Sequence, residues 1–408
     1  MKFFIVNHCS HNKGDNSVLY YLMQCIKSVA PDCKISISSS DGNRPFWCKD
    51  KIEATYWPGG KLFRSPRDGY LGRAYKKANS LFMRHFLYKI FIYLYSKRYD
   101  NAARIISSLL SQDFVSQIRE CDKVICTGGH HISNVLEKNC INSQLVSLAI
   151  ADIFNKKTTL WSQSIGPFTG AAEYTKKAIS RVLENCDKIY VRDDLSIECV
   201  KSISSKKAII APDSVFLAGH KNLVGSTIRK SIICAVYTAG IKDEGYLVRY
   251  SNAWKNVAEA LASQGYEIIF IPMQYKNCSG DERTFLENIV RKAGNSLIKY
   301  IDEDSSPKET IELFKAASAI IGHKTHSVIY GLALAKPTVA IAYHEKTRQF
   351  MSDFGLQSYV FAEVINQEEH IVSAVLASIE QGVDKELSQK SSELAEKLLQ
   401  NMKSVATI

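Results

Sequence analysis

Short apolar runs alternate with amphipathic segments along almost the whole chain, and this alternation constrains the fold more than any other feature of the sequence. Runs at 2–7 and 123–127 have the length and apolar content of buried strands. Segments at 18–29 and 145–155 repeat apolar residues at helical spacing. Strands that alternate with helices of about 10–15 residues predict a parallel, doubly wound sheet, so the expected fold class is α/β.

The alternation runs through the chain twice, with one break. A chain of 408 residues exceeds a single hydrophobic core. We predict an N-terminal Rossmann-like domain at 1–217 with an insertion at 61–104, a linker at 218–230, a C-terminal Rossmann-like domain at 231–383 and a C-terminal helix at 384–408. The two domains are expected to face a cleft. Because ligands of such sheets bind at the carboxyl ends of the strands, the loops that follow strands are expected to line it.

The cysteines and the start of the sequence favour a cytoplasmic protein. The eleven cysteines lack the spacing of a zinc site, and an odd number without a disulfide framework is typical of reduced thiols. The first apolar run, from Phe3 to Val6, is too short for a signal peptide or a membrane span.

Most of the net positive charge lies in one segment. The formal net charge is +11, and 61–104 contributes +9 of it through eleven Lys and Arg residues against Asp68 and Asp100. Aromatic residues alternate with cations from Arg84 to Tyr99, a pattern that suits an anionic membrane interface. We predict peripheral docking on the inner membrane face; the alternative is a helix whose aromatic side packs on its own domain. No nucleic-acid-binding module is recognisable, so no nucleic acid partner is expected.

Polar and glycine-containing motifs follow the predicted strands. In chain order they are Asn12-Lys13-Gly14-Asp15, Gly128-Gly129, Ser164-Ile165-Gly166-Pro167-Phe168, Val191-Arg192-Asp193-x-x-Ser196, Pro212-Asp213, Gly322-His323-Lys324-Thr325-His326-Ser327, Gly331, Pro337 and Tyr343-x-x-Lys346. Through this ordered series the chain resembles the polysaccharide pyruvyltransferase family over nearly its whole length. The resemblance implies a GT-B type fold.

One motif departs from the family pattern. The family usually has Arg-x-His where this chain has Lys324-Thr325-His326. Lysine keeps the positive charge but lacks the planar fork that lets arginine bind an anion with two parallel hydrogen bonds.

The resemblance implies transfer of pyruvate from phosphoenolpyruvate onto a sugar, which forms a ketal, during cell-surface polysaccharide biosynthesis. The acceptor is expected to be a sugar or a lipid-linked oligosaccharide. Phosphoenolpyruvate carries about three negative charges, so its pocket needs fixed cations and backbone N–H groups. An acid, a base and these anion-binding groups suffice for the chemistry, and no metal or other cofactor is expected.

Candidate site residues follow from the same motifs. The catalytic candidates are His326 and Asp15. The donor-binding candidates are Arg192, Lys324, Gly128, Gly129 and Lys346, and further candidates are His130, His131, Ser327 and Tyr343. Structural alternatives stay open for several of them. Arg192 could pair with a neighbouring aspartate, His326 could cap a helix, Asp15 could complement a helix dipole, and Lys346 could be solvated.

Two other functions fit the same architecture. A retaining nucleotide-sugar glycosyltransferase of the GT-B type often has two glutamates around its last ligand loop, the second seven residues before a Gly-x-Pro proline. Counting back from Pro337 gives Tyr330, and the other position falls at Gly322. The missing carboxylates disfavour this alternative. A noncatalytic envelope-assembly protein that keeps the fold is the remaining alternative.

Overall fold

The computed structural model describes residues 1–8, 11–39, 45–48, 82, 86–134, 139–220, 229–239, 241–278, 280–342, 345–382 and 385–407. Residues 61–81 and 83–85 of the basic insertion, and Tyr343, lie outside the described residues. The chain forms two compact units. Unit 1 comprises Met1–Ser10, Val18–Ser214 and Leu398–Ile408, and unit 2 comprises His11–Ser17 and Val215–Lys397.

Unit 1 contains a parallel sheet. The described strands are β1 (Lys2–His8), β2 (Lys34–Ser39), β3 (Lys123–Cys126), β4 (Gly129–Ile132), β5 (Lys157–Ile165), β6 (Lys188–Val191) and β7 (Ala208–Ile210). The strand order is β2-β1-β3-β5-β6-β7, with β4 paired to β5. Every pairing is parallel. The carboxyl ends of the strands therefore meet at one edge of the sheet.

The helices of unit 1 follow its strands along the chain. They are α1 (Lys13–Val29, whose first turn belongs to unit 2), α2 (Tyr88–Ser96), α3 (Asp100–Leu110), α4 (Gln112–Glu120), α5 (Ser143–Ile153), α6 (Glu173–Asn185) and α7 (Asp194–Lys201). The apolar sides of α2 to α7 form one core with the sheet, in which Phe4, Phe91, Phe114 and Leu160 are fully buried.

Unit 2 repeats this arrangement. Its described strands are β8 (Ser231–Ala235), β9 (Glu267–Phe270), β10 (Ile298–Tyr300), β11 (Ala319–Gly322), β12 (Thr338–Ile341) and β13 (Val360–Phe361), in the order β10-β9-β8-β11-β12-β13. All pairings are again parallel. The core contains Trp254, Phe270 and Ile321.

The helices of unit 2 alternate with these strands. They are α8 (Glu244–Ser263), α9 (Arg283–Ala293), α10 (Pro307–Ala316), α11 (Thr325–Ala333), α12 (Glu345–Asp353), α13 (Glu368–Gln381) and α14 (Lys385–Ala406, which continues into unit 1). Helix α10 begins with a reciprocal capping box between Ser306 and Glu309. Within the described residues, no helix is both long and apolar enough to cross a membrane.

The compact units differ from the predicted domains in three places. The division falls after Ser214, a few residues before the predicted linker at 218–230. Residues 11–17 belong to unit 2, because their backbone pairs with the segment that follows β9. The last residues of α14 belong to unit 1, where Tyr190 bonds to Ser404. Sequence order alone therefore does not separate the two units.

Candidate functional site

Arg192 lies at the carboxyl edge of the unit 1 sheet and forms a buried ion pair. It directly follows β6, and its side chain is only 5% exposed. One terminal nitrogen lies 2.8 Å from Oδ2 of Asp213, whose side chain is fully buried, and Nε donates to Ser162 Oγ at 3.2 Å. The structural alternative for Arg192, an ion pair with an aspartate, is therefore present, with Asp213 as the partner. Asp193 instead caps α7 by accepting from the backbone N–H of Ser196, and Asp213 follows the adjacent strand β7.

Gly128 makes room for this guanidinium. A Cβ atom at Gly128 would lie 2.6 Å from a terminal nitrogen of Arg192. Gly129 does not belong to a loop, as the sequence suggested, because it begins strand β4 and pairs with β5. His130 and His131 therefore lie within β4, and His130 is half-buried. Gly128 thus supports the position of Arg192 through close packing.

The first turn of α1 is held by unit 2. The backbone N–H of Lys13 donates to Met273 O at 2.9 Å, and Tyr275 N donates to His11 O at 3.0 Å. The Tyr330 hydroxyl donates to the carbonyl oxygen of Lys13 and lies 2.8 Å from Ser17 Oγ. These bonds join the motif that follows β1 to the loops around β9 and α11.

Asp15 forms a reciprocal cap with Asn12. The Asn12 side chain accepts from the backbone N–H of Asp15 at 2.7 Å and donates to the Asp15 carboxylate at 2.6 Å. The helix therefore begins at Lys13, and Asn16 and Ser17, which precede the predicted helical segment at 18–29, lie inside it. This contact fits the structural alternative for Asp15, a carboxylate at a helix N-terminus. Its catalytic role stays a prediction.

Gly14 packs directly on His326. A Cβ atom at Gly14 would lie 2.4 Å from both Cγ and Nδ1 of the imidazole. His326 belongs to the first turn of α11. Two residues separate the start of this helix from the carboxyl end of β11. The backbone of α1 therefore fixes one side of the imidazole, and only glycine leaves the ring this position.

Gly14→Ala is expected to lower the free energy of unfolding by about 1–3 kcal/mol, because the new methyl group overpacks against the imidazole. The same exchange inside a helix normally raises stability by about 0.5–1 kcal/mol. The matched control is Gly245→Ala, since Gly245 is also the second residue of a helix and its nearest neighbour would lie at 3.2 Å. Urea unfolding of both variants tests this. Equal stability of the two would contradict close packing at Gly14.

Lys324 is also held by a buried acid. Its Nζ lies 2.5 Å from Oε1 of Glu282, whose side chain is fully buried, and 5.5 Å from the centre of the Tyr237 ring. The other carboxylate oxygen of Glu282 accepts from the backbone N–H of Gln274 at 3.1 Å. Sequence reasoning missed Glu282, because it lies at the start of α9, far from Lys324 in the chain. The pair positions the ammonium at the carboxyl edge of the unit 2 sheet.

His323 and Ser327 lie close to Lys324 in the sequence, and the side chain of each forms a hydrogen bond within unit 2. His323 is buried with Nδ1 at 2.6 Å from the Tyr250 hydroxyl. Burial, helped by the charge of Lys324, lowers the pKa of His323 to about 3, so its imidazole is neutral at physiological pH. Ser327 is buried in the first turn of α11 and donates to the carbonyl oxygen of Lys324. His326 is thus the better acid–base candidate of the two histidines.

Lys13 is a second buried cation that the sequence reasoning did not select. Its Nζ donates to Pro272 O at 2.8 Å and lies 5.2 Å from the centre of the Tyr275 ring. Burial, together with the charge of Arg283, lowers the pKa of Lys13 to about 8. The only sequence signal was its place inside the first motif. The carbonyl group that accepts from Lys13 belongs to a residue 259 positions later in the chain, so the local sequence does not indicate this burial.

The candidates form two groups, one in each unit. Unit 1 brings Arg192, Gly128 and Asp213 together. Unit 2 brings together the first turn of α1 and the start of α11. Lys346 is half-buried in the first turn of α12, and Tyr343 lies outside the described residues. The prediction that Arg192 and His326 line one cavity stays a prediction, because the two residues belong to different units.

The motifs at these positions match a known family. The sequence profile of the polysaccharide pyruvyl transferase family matches residues 12–345, which include both groups of candidates. The chain belongs to this family. Membership makes it a transferase of polysaccharide biosynthesis, and implies a sugar or polysaccharide acceptor.

Solved structures of other proteins have the same fold as this chain. A putative UDP-N-acetylglucosamine 2-epimerase from Listeria monocytogenes has a TM-score of 0.58 at 10% identity, covering 100% of this chain and 96% of its own. UDP-GlcNAc 2-epimerase from Neisseria meningitidis bound to UDP-GlcNAc has a TM-score of 0.57 at 10% identity, covering 99% and 100%. Anabaena HepE in complex with UDP-glucose has a TM-score of 0.56 at 9% identity, covering 99% and 98%. The fold of the pyruvyl transferase is of the GT-B type.

Neither of the two positions that bear on the glycosyltransferase alternative carries a carboxylate, and at Gly322 a side chain would be crowded. A Cβ atom at Gly322 would lie 2.7 Å from Cγ2 of Val328 and 2.9 Å from Ser327 Oγ. Tyr330 is fully buried and bonded to Lys13 and Ser17. In this chain both positions therefore serve packing.

Proposed function

We propose that the protein transfers pyruvate from phosphoenolpyruvate onto two hydroxyl groups of a sugar, which forms a ketal and releases phosphate. The observation that carries this proposal is the arrangement at the start of α11. There His326 packs under Gly14, and Lys324 lies two residues before it in a buried ion pair. A proton-transfer group beside a fixed cation suits a donor with about three negative charges.

The proposed chemistry needs three kinds of group. A proton is added to C3 of phosphoenolpyruvate, positive charge develops at C2, and one sugar hydroxyl adds there as its proton leaves. Phosphate then departs, and a second hydroxyl closes the ring with loss of its proton. His326 would transfer a proton to or from the reacting atoms, with Asp15 as a base. Arg192, Lys324 and Lys346 would bind the carboxylate and phosphate of the donor, with the backbone at Gly128 and Gly129 nearby. We propose no metal or other cofactor.

Lys324→Ala is expected to raise the KM for phosphoenolpyruvate about 10- to 150-fold with little change in kcat, since a charged hydrogen bond to the donor is lost in ground and transition states alike. Lys324→Arg restores the residue usual in the family and should keep activity. Steady-state phosphate release measures both.

Glu282→Gln is the control for this prediction. It leaves the cation of Lys324 in place and removes only its buried partner. If Lys324 binds the donor, the KM should not rise as it does in Lys324→Ala. Equal increases in both variants would show that the KM depends on the intact ion pair and not on the cation of Lys324 alone.

Thermal-shift measurements separate this proposal from a nucleotide-sugar glycosyltransferase. Phosphoenolpyruvate at 100 times its Kd should stabilise the protein by about 2.7 kcal/mol. A panel of nucleotide sugars should have no comparable effect. Stabilisation by a nucleotide sugar alone would favour the glycosyltransferase, and no effect of either would favour a noncatalytic role.

We also propose where the reaction takes place. The protein would act in the cytoplasm at the inner face of the membrane, where a lipid-linked oligosaccharide acceptor would be within reach. The uneven charge of the sequence supports this location, because 61–104 contributes +9 of a net charge of +11.

A further inference from the structure

Helix α2 in unit 1 is apolar on two opposite faces. Its buried face contains Phe91 and Tyr95, which belong to the core of the unit. On the other face Ile90 and Tyr93 are 43% and 46% exposed, and Phe86, two residues before the helix begins, is 59% exposed. At about 100° per residue these three side chains share one stripe, opposite the buried ones. The buried face accounts for the packing of α2, and the exposed face lies outside the core.

The apolar exposure is concentrated in this part of the chain. Seven of the twelve large apolar side chains that are exposed within the described residues lie between 82 and 109. Phe82 stacks on Phe86 with ring centroids 5.6 Å apart. In α3, which packs on α2, Ile105 and Leu109 are exposed one turn apart. Single exposed apolar residues are ordinary on a soluble protein, but a contiguous group marks an interaction surface.

The charged residues in this segment of the chain are mostly positive. Lys97 continues the α2 stripe, with Nζ 5.9 Å from the centre of the Tyr93 ring, and Arg98 is also exposed. The one acidic residue between 82 and 109, Asp100, pairs with Arg181 at 2.8 Å. Its negative charge is thereby neutralised within the unit. An apolar stripe with a cationic border is complementary to an anionic lipid surface.

We propose that the docking face, defined as Phe86, Ile90, Tyr93 and Lys97, binds the protein to an anionic lipid bilayer. The apolar side chains enter the headgroup region, and Lys97 with Arg98 contacts the lipid phosphates. The docking face gives a structural basis to the membrane location proposed above. Its test is separate from pyruvyl transfer, because vesicle binding requires neither donor nor acceptor.

Cosedimentation of the full-length protein with vesicles tests the docking face. Vesicles of phosphatidylglycerol and phosphatidylcholine should bind the parent protein at low salt, and binding should fall as salt rises. The double variant Phe86→Gln/Ile90→Gln should bind about tenfold more weakly, since two apolar insertions are lost. The matched control is Leu195→Gln, which changes an equally apolar residue of unit 1 that is 64% exposed, and it should bind as the parent does.

A charge variant tests the border of the docking face. Lys97→Gln/Arg98→Gln should weaken binding about fivefold per removed charge. Circular dichroism and phosphate release should match the parent in all variants.

Three results would overturn the proposal. The first is no binding of the parent to anionic vesicles, or equal binding to vesicles of pure phosphatidylcholine. The second is a docking-face variant that binds as tightly as the parent. The third is self-association of the parent that Phe86→Gln/Ile90→Gln abolishes, which would assign the face to a second copy of the chain.

Discussion

His326→Ala is expected to lower the kcat of phosphate release from phosphoenolpyruvate about 10²- to 10⁴-fold, the usual contribution of a positioned acid or base. The imidazole lies in the first turn of α11 under the backbone of Gly14. Lys324 is the N-cap of the same helix, and in the proposed mechanism it would provide the cation for the donor. Removing the imidazole leaves this cation in place, so the KM for phosphoenolpyruvate should change much less than kcat. Initial rates at saturating donor and acceptor measure both constants.

Two other histidines provide controls for this prediction. His370 is exposed in α13, and His370→Ala should keep the parental kcat. His323 is neutral at physiological pH because burial lowers its pKa to about 3, so it does not replace the missing proton-transfer group. A folded His326→Ala protein with near-parental kcat would show that catalysis does not depend on the start of α11.

Asp213→Asn is expected to destabilise unit 1 by about 3–5 kcal/mol, because it removes the partner of a buried arginine. Arg192 and Asp213 are 5% and 0% exposed, with 2.8 Å between nitrogen and oxygen. Asparagine has nearly the same shape as aspartate, so the loss reports the uncompensated charge of Arg192. Chemical denaturation measures the change in the free energy of unfolding.

The control for this loss is the same acid-to-amide exchange in an exposed pair. Glu198 pairs with Lys201 at 2.7 Å on the surface of α7, and Glu198→Gln should cost less than about 1 kcal/mol. Arg192→Leu/Asp213→Leu should be more stable than Asp213→Asn, since no buried charge is left unpaired. A change in Asp213→Asn as small as that in Glu198→Gln would contradict a strong buried pair.

Apolar periodicity predicted most elements of the fold, and its failures have local causes. Strand β2 was not predicted, although its alternation of isoleucine with serine is the pattern of a half-buried strand; the structure buries both of its faces. Helix α13 was not predicted, and Gln367 at its N-cap is not one of the residue types that mark a helix start. The start of α1 was placed too late, at residue 18, whereas the bonds between Asn12 and Asp15 cap a helix that begins at Lys13.

Residues of the candidate site could be predicted only where they belong to one of the sequence motifs. The order of the motifs indicated Arg192, Lys324 and His326, and the family match confirms the family on which that choice rests. Their partners were not predictable, since Asp213 and Glu282 meet them through the folding of distant segments. The same reason applies to Lys13, whose burial depends on the loop after β9.

Release of inorganic phosphate from phosphoenolpyruvate by the purified full-length protein tests the proposed function most directly. The donor should be offered with a panel of lipid-linked and p-nitrophenyl sugars. Pyruvyl transfer predicts phosphate only in the presence of a suitable acceptor, with one pyruvate ketal formed for each phosphate. No phosphate with any acceptor, together with release of a nucleoside diphosphate from a nucleotide sugar, would contradict it.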